Sequence, residues 1–150
     1  MFISQKLVEL IEHDADKLST RWLEDVRKRP ETPTYHNFDP DELYRRAHVV
    51  YSHLGKWISY ETTKEEIAAH YTALGAQRRK EGFAISEVVE ALILTRRYVW
   101  LKVLSDGLLD TALDLHKALE LNNRVILFFD RAIYYTILGY ENGKMRLHFR

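Results

Sequence analysis

The segment from Ile85 to Leu104 constrains the fold of this 150-residue chain more than any other. As a helix it would be apolar on nearly every face, and helices of that kind lie inside proteins. It also carries two adjacent charges, Arg96 and Arg97, and charges inside a protein need partners. The segment therefore predicts a central core helix. Its charged residues argue against a membrane span.

Helical spacing of apolar residues and capping signals predict four more helices around this one. The proposed N-caps are Asp39 before Pro40, Thr62 or Thr63 with Glu66 in a capping box, Ser86, and Asp110. Pro30 and Pro33 end the first helix, Gly82 ends the third, and Gly139 ends the fifth. A turn is expected at Asp106-Gly107. The five predicted helices cover residues 2–29, 40–60, 64–81, 87–105 and 111–138.

No convincing strand pattern is present, so the predicted fold class is all-α. We expect a five-helix bundle or a globin-like packing of one domain over residues 1–150, with helices four and five at its centre. Residues 140–150 are expected to form a tail or the start of a linker, although residues 146–150 alternate polar and apolar side chains.

Composition excludes several functional classes. Lysine plus arginine and aspartate plus glutamate both number 22, and a net charge of zero argues against general nucleic-acid binding. The absence of cysteine excludes disulfides and cysteine-based zinc sites, and it is compatible with a cytoplasmic location. The N-terminus acquires acidic residues too early for a secretory signal.

The motifs of enzymes and metalloproteins are missing as well. The sequence contains no nucleophile elbow, no phosphate-binding glycine loop and no pair of Glu-x-x-His motifs for a carboxylate-bridged metal centre. We therefore expect no enzyme, no catalytic residues, no metal and no cofactor. If the protein binds haem, the axial ligand is expected to be His116, in a long apolar helix, or His70. The competing interpretation is that both are ordinary surface or partly buried histidines.

Arg96 and Arg97 allow two interpretations. Either they pair with a carboxylate, for which Glu90, Glu120 and Asp130 are candidates, or one of them holds an acidic ligand in a pocket. The sequence does not tell which of the two arginines is buried. Tyr98 and Tyr134 belong to an aromatic-rich group on helices four and five that could line such a pocket. The same group could instead form an apolar patch at a homodimer interface.

From the third helix onward the chain contains a pattern of a glycine, an arginine, an acidic residue with a glycine, a second acidic residue, an arginine pair and a tryptophan, followed by a closing helix. These features are Gly75, Arg78 or Arg79, Glu81-Gly82, Glu87, Arg96-Arg97, Trp100 and residues 128–141. The pattern resembles that of a bacterial family, the N-terminal sensor domain of RsbT co-antagonist (RsbR-like) proteins of the stressosome. A similar domain lies at the N-terminus of bacterial histidine kinases.

The resemblance implies a helical, globin-related sensory module that lacks haem and forms dimers. The expected function is a non-enzymatic, cytoplasmic signal-input domain that regulates a downstream effector, either a histidine kinase of a two-component system or a STAS module. The first alternative is a haem- or small-molecule-binding globin-like protein, and the second is a helical-bundle metalloenzyme. Both an excised input domain and a stand-alone adaptor fit the sequence, and the signal remains open.

Overall fold

The computed structural model describes residues 4–106 and 109–148 of the chain, with side chains described as far as residue 143. Over these residues all regular secondary structure is helical, which confirms the all-α class. Seven α-helices and one short 3₁₀-helix replace the five predicted helices. They are α1 (Gln5–His13), α2 (Ala15–Val26), the 3₁₀-helix (Pro33–His36), α3 (Pro40–Ser52), α4 (Leu54–Ile58), α5 (Lys64–Lys80), α6 (Ile85–Asp106) and α7 (Ala112–His148).

The first predicted helix is broken at Asp14, which ends α1 and precedes α2. The carboxylate of Asp14 accepts a hydrogen bond from Lys102 of α6, whose ammonium also binds Asp106. Because Lys102 lies in the core at 9% exposure, this ion pair ties the break to the central helix. The apolar stripe continues on both sides of Asp14, so helical spacing alone does not reveal the break.

The second predicted helix is broken at His53, between α3 and α4. Near the break, the Ser52 hydroxyl donates to the His48 carbonyl, and His53 Nδ1 lies 3.0 Å from the Val49 carbonyl. These side chains occupy carbonyls that backbone N–H groups would otherwise use, which favours ending the helix. Arg124 of α7 then donates to the Ile58 carbonyl at 3.0 and 2.9 Å, so the C-terminus of α4 is held by a cation.

Three of the predicted helix signals are confirmed. Asp39 caps α3 by accepting from the Asp41 N–H at 3.1 Å, with Pro40 as the first helical residue. Thr63 caps α5 by accepting from the Glu66 N–H at 3.1 Å. Gly82 follows α5 with a φ of 90°, a backbone conformation that glycine adopts without strain.

The predicted caps of the last two helices were wrong. Because α6 already begins at Ile85, Ser86 is inside the helix, and the carboxylate of Glu87 caps it by accepting from the Ala84 N–H at 3.0 Å. The same carboxylate accepts from the Thr34 N–H at 2.6 Å, so this buried residue accepts hydrogen bonds from backbone N–H groups of two different segments. Before α7, Thr111 rather than Asp110 accepts from the Asp114 N–H at 3.0 Å.

Gly139 does not stop the last helix, because α7 continues to His148. The expected tail over residues 140–150 is therefore helical as far as the structure describes it, and the predicted turn at Asp106-Gly107 lies partly outside the described residues. The absence of a side chain at Gly139 instead allows α7 to pack closely against α5. A Cβ at Gly139 would lie 2.0 Å from the Thr72 carbonyl oxygen of α5, and a Cβ at Gly75 would lie 2.0 Å from the Thr136 oxygen of α7. Backbone therefore contacts backbone where α5 crosses α7.

The core is one cluster to which all seven α-helices of the described residues contribute. Leu94 and Val99 of α6 and Leu121, Phe128 and Phe129 of α7 are all nearly inaccessible to solvent. The α6 helix packs on α1, α2 and α7, and α7 packs on α4, α5 and α6. No helix over the described residues combines the length and the apolar character that crossing a membrane requires.

Candidate ligand-binding cavity

A cavity of about 540 Å³ lies between α3 and α5 and extends inward to α6. Its α3 wall contains Leu43, Arg46, Ala47 and Val50, and these residues share one helix face by their spacing. Its α5 wall is built in the same way, and Tyr71, Leu74 and Arg78 follow one another at intervals of three and four residues. The exposed lining residues, Val49, His70, Ala73 and Gln77, mark the opening to solvent.

Aromatic rings form much of the inner wall. Trp22 of α2 donates its indole N–H to the Ala91 carbonyl at 3.0 Å, which fixes the ring at the base of the cavity. Tyr35 packs edge-on against Trp22 with ring centroids 6.1 Å apart. On the other side, Trp57 of α4 packs against Tyr71 at 5.7 Å. Such a wall favours the burial of an apolar or aromatic body.

His70 lies at the mouth of the cavity between two of these rings. Its imidazole centroid is 4.9 Å from that of Trp57 and 4.8 Å from that of Tyr71. Partial burial, with a smaller contribution from the positive charge of Arg78, lowers the pKa of His70 below its usual value of 6.5. The imidazole is therefore neutral at physiological pH and offers one donor and one acceptor.

Two arginines lie at the polar part of the wall and share one carboxylate. Arg46 of α3 donates two hydrogen bonds to Glu81, one of them at 2.9 Å to Oε1. Arg78 of α5 donates to the same Oε1 at 3.2 Å. Glu81 thus links α3 to the end of α5 across the cavity. The side chains of Arg78 and Glu81 are only 12% and 14% exposed, so the network is largely removed from water.

Burial and the neighbouring charges shift the pKa values of Arg78 and Glu81. Burial, followed by the like charge of Arg46, lowers the pKa of Arg78 below its usual value. Burial alone would raise the pKa of Glu81, but the hydrogen bond from Arg46 and the charge of Arg78 outweigh it and keep that pKa low. All three groups are charged near neutral pH, and Arg46 also donates to a second carboxylate, that of Glu42, at 3.1 Å.

The four residues predicted for ligand contact do not line this cavity. Arg96 lies 3.9 Å from Asp130 of α7, one of the carboxylates expected to pair with it, and its side chain is 33% exposed. Arg97 is exposed. Tyr98 donates its hydroxyl to Asp25 at 2.7 Å, and Tyr134 is 59% exposed.

Asp25 itself belongs to a compact surface network with Tyr98. Arg29 donates to both of its carboxylate oxygens at 3.0 Å. Burial would raise the pKa of Asp25, but the hydrogen bonds from Arg29 and Tyr98 outweigh this effect and lower it below 3.8. The Tyr98 hydroxyl therefore already has a strong partner within the protein.

The two histidines considered as haem ligands lie in different environments. His116 is exposed at 61% of its side chain and lies 3.1 Å from Glu120 on the next turn of α7. His70 contributes to the cavity, as described above. Within the two described stretches of chain, no group of three or more histidine and carboxylate side chains is arranged to hold a metal ion.

Sequence reasoning missed the arginines of the cavity. Arg78 belongs to the basic run Arg78-Arg79-Lys80 at the end of α5, and basic residues near a helix C-terminus are favoured by the helix dipole. A signal was nevertheless present, because Arg78 continues the inward stripe of Ile67, Tyr71 and Leu74 by one further turn. A charge at a core position predicts either an internal partner or a ligand, as it did for Arg96.

Comparison with protein-family models, with curated proteins and with solved structures found no match to this chain. The assignment of a function therefore depends on the residues and their geometry.

Proposed function

We propose that the chain is a non-enzymatic bacterial signal-input domain that acts in the cytoplasm and resembles the RsbR-like sensor domains in role. Its input would be occupancy of the cavity, and its output would be a change in the packing of α7 in a homodimer. That change would regulate an effector such as a histidine kinase or a STAS module. We include the globin-like arrangement in this proposal, since α1–α2 and α3–α4, each taken as one broken helix, give five helical units.

One observation carries the proposal: α5 both lines the cavity and touches α7 through its backbone. His70, Tyr71 and Arg78 face the cavity, while Gly75 of the same helix lies against Thr136 of α7. Helices are stiff over such short distances, and packed cores do not deform continuously. A ligand that displaces α5 would therefore displace α7 as well.

The surface of α6 and α7 supports the dimeric part of the proposal. Most of the large apolar side chains that remain exposed lie on these two helices. On α7, Leu115, Leu119 and Ile126 share one face by their spacing, and α6 adds Leu101 and Leu104. Exposed apolar side chains on one helix face are typical of an interface between subunits.

Coupling between the cavity and α7 is tested without any ligand by filling the cavity. In the Ala73→Trp variant an indole would enter the opening, and we expect altered amide hydrogen exchange in α7 around residues 128–143. Ala69→Trp is the matched control, because Ala69 is exposed on the same helix and does not line the cavity. Equal exchange in the two variants would argue against the sensor mechanism.

The dimer is tested by light scattering after size exclusion. We expect a dimer, and we expect Leu119→Glu to convert it to a monomer by placing a charge in the apolar surface. Val49→Glu changes an exposed apolar residue on α3 and should leave the dimer intact. A wild-type protein that stays monomeric at high concentration would contradict the proposed output.

The position of His70 supports one alternative function, that of a haem- or small-molecule-binding protein. A neutral imidazole at the mouth of an apolar cavity has the chemistry of an axial ligand. The absorbance spectrum of freshly purified protein distinguishes the two cases. A Soret band that disappears in His70→Ala and persists in His116→Ala would favour haem, whereas the sensor proposal predicts no such band.

A further inference from the structure

We propose that the cavity between α3 and α5 binds an organic acid with an aromatic or other apolar body, and that Arg78 binds its carboxylate. The inference rests on the sensor function proposed above, for which it names the class of signal. Binding itself is measured independently of any signalling output.

The size and the walls of the cavity define the apolar part of the ligand. A volume of about 540 Å³ lies within the range of sites for small organic molecules. The inner wall consists largely of rings and aliphatic side chains, among them Trp22, Tyr35 and Trp57. A flat hydrophobic body would gain the most from these surfaces, because apolar area is removed from water on both of its faces.

The charge distribution defines the polar part. Three cations, Arg45, Arg46 and Arg78, lie in one connected network with two carboxylates, Glu42 and Glu81. Arg45 is 68% exposed and binds Glu42 on the solvent side, so it contributes little to the interior. Apart from Arg45, the two arginines of the network balance the two carboxylates, so the attraction for an anion comes from the unused donors of Arg78 rather than from net charge.

Arg78 is the arginine of the network with unused hydrogen-bond donors. Its guanidinium is 12% exposed and carries five N–H donors, yet over the part of the chain that the structure describes it makes one side-chain hydrogen bond, to Glu81. None of the Arg78 nitrogens is a fully buried atom without a partner, so its unused donors are within reach of solvent, and a carboxylate could accept two parallel charge-assisted bonds from them. Arg46, by contrast, already binds both Glu81 oxygens and Glu42.

The experiment compares two probes of the same shape, 2-naphthoate and 2-naphthylmethanol, by isothermal titration calorimetry on the full chain. The acid and the alcohol differ in the charged group only. We expect the acid to bind about tenfold tighter or more, since a hydrogen bond to a charged group commonly has that effect. In Arg78→Met the acid should lose this advantage while the alcohol binds as before.

Two further variants separate the role of Arg78 from general damage. Arg79→Met removes the neighbouring arginine, which lies over the Tyr140 ring at 5.0 Å and does not line the cavity, and it should keep the preference for the acid. Ala73→Trp should weaken both probes by occupying the opening. Circular dichroism melting curves establish that each variant is folded.

Three results would overturn the inference. They are the absence of binding of both probes at millimolar concentration, equal affinity for acid and alcohol, and an acid preference that survives Arg78→Met. Each of these leaves the coupling between cavity and α7 standing, because that coupling is measured with the tryptophan variants alone. Conversely, unchanged exchange in α7 would refute the sensor mechanism and leave the binding result intact.

Discussion

Replacing Gly75 by alanine would force α5 and α7 apart. The added Cβ would sit 2.0 Å from the Thr136 carbonyl oxygen, whereas ordinary contacts begin at 3.4 Å, so the helices would have to separate by about 1.4 Å. The clash is with backbone, which cannot rotate away as a side chain can. We therefore place the cost at the upper end of the overpacking range, about 3 kcal/mol. Alanine in a helix interior returns about 1 kcal/mol relative to glycine.

The net expectation for Gly75→Ala is a loss of about 2 kcal/mol in the free energy of unfolding. For a chain of this length that corresponds to a decrease in Tm of about 4–8 °C. In urea the midpoint should fall by roughly 1 M at an unchanged slope. Both quantities are measured on the purified full chain by circular dichroism at 222 nm, a helix signal suited to an all-α protein.

The matched control is Gly143→Ala, further along α7. There the nearest atom to an added Cβ is Cδ of Arg79 at 3.3 Å, the flexible side chain of an arginine. We expect this variant to be as stable as the wild type or up to about 1 kcal/mol more stable, since only helix propensity changes. If Gly75→Ala and Gly143→Ala melted at the same temperature, the interpretation of the α5–α7 crossing as a backbone contact would be refuted.

Three further substitutions test individual contacts. Asp25→Asn should make stability depend less on pH in acid. The folded pKa of Asp25 is depressed, so its stabilisation is present above about pH 4 and is lost as the pH falls through the folded value. Urea unfolding between about pH 5 and pH 3 should therefore give a free energy of unfolding that changes less with pH in the variant than in the wild type. Glu87→Ala should cost about 1–3 kcal/mol, because two backbone N–H groups lose their acceptor, and a cost below the error of a urea titration would contradict that role. Arg124→Met should lower the free energy of unfolding by about 1–3 kcal/mol, because the hydrogen bonds to the end of α4 are lost. Amide hydrogen exchange in this variant should increase first in α4, and an equal increase in all helices would argue for a different cause.

The helices that the sequence predicted best are those whose ends are determined locally. Thr63, Asp39 and Gly82 act through hydrogen bonds or backbone angles within a few residues, so the pattern of neighbours is sufficient to predict them. The breaks at Asp14 and His53 were missed because the apolar stripe runs through both of them. The spacing of apolar residues indicates which helix face is buried, but it does not indicate where the helix changes direction.

Gly139 shows why the length of α7 was underestimated. A glycine after a periodic stretch favours a helix end when only local rules are considered. Here the absence of a side chain is required by the Thr72 carbonyl on another helix, and the helix continues. Sequence spacing alone does not disclose a contact between residues 72 and 139.

The candidate site was only partly accessible from the sequence. His70 was singled out and lines the cavity, and Asp130, one of three carboxylates considered as partners of the arginine pair, lies 3.9 Å from Arg96. Arg78 was missed because a basic residue near a helix C-terminus has an ordinary explanation. The cavity exists because α3 and α5 stand apart above α6, and that separation is a property of the tertiary arrangement.

The close approach of α5 and α7, at Gly75 against Thr136 and at Gly139 against Thr72, also has a mechanical consequence. Side chains that separate two helices can adopt new rotamers and let the spacing change, but two touching backbones cannot approach further. Under the proposed mechanism the crossing would act as a pivot, and α7 would respond to a movement of α5 by tilting about it. From Gly139 to His148 the helix extends roughly 13 Å at 1.5 Å per residue, so a tilt of about 5° moves its end by about 1 Å. A displacement of that size is comparable to the helix shifts that switch subunit interfaces.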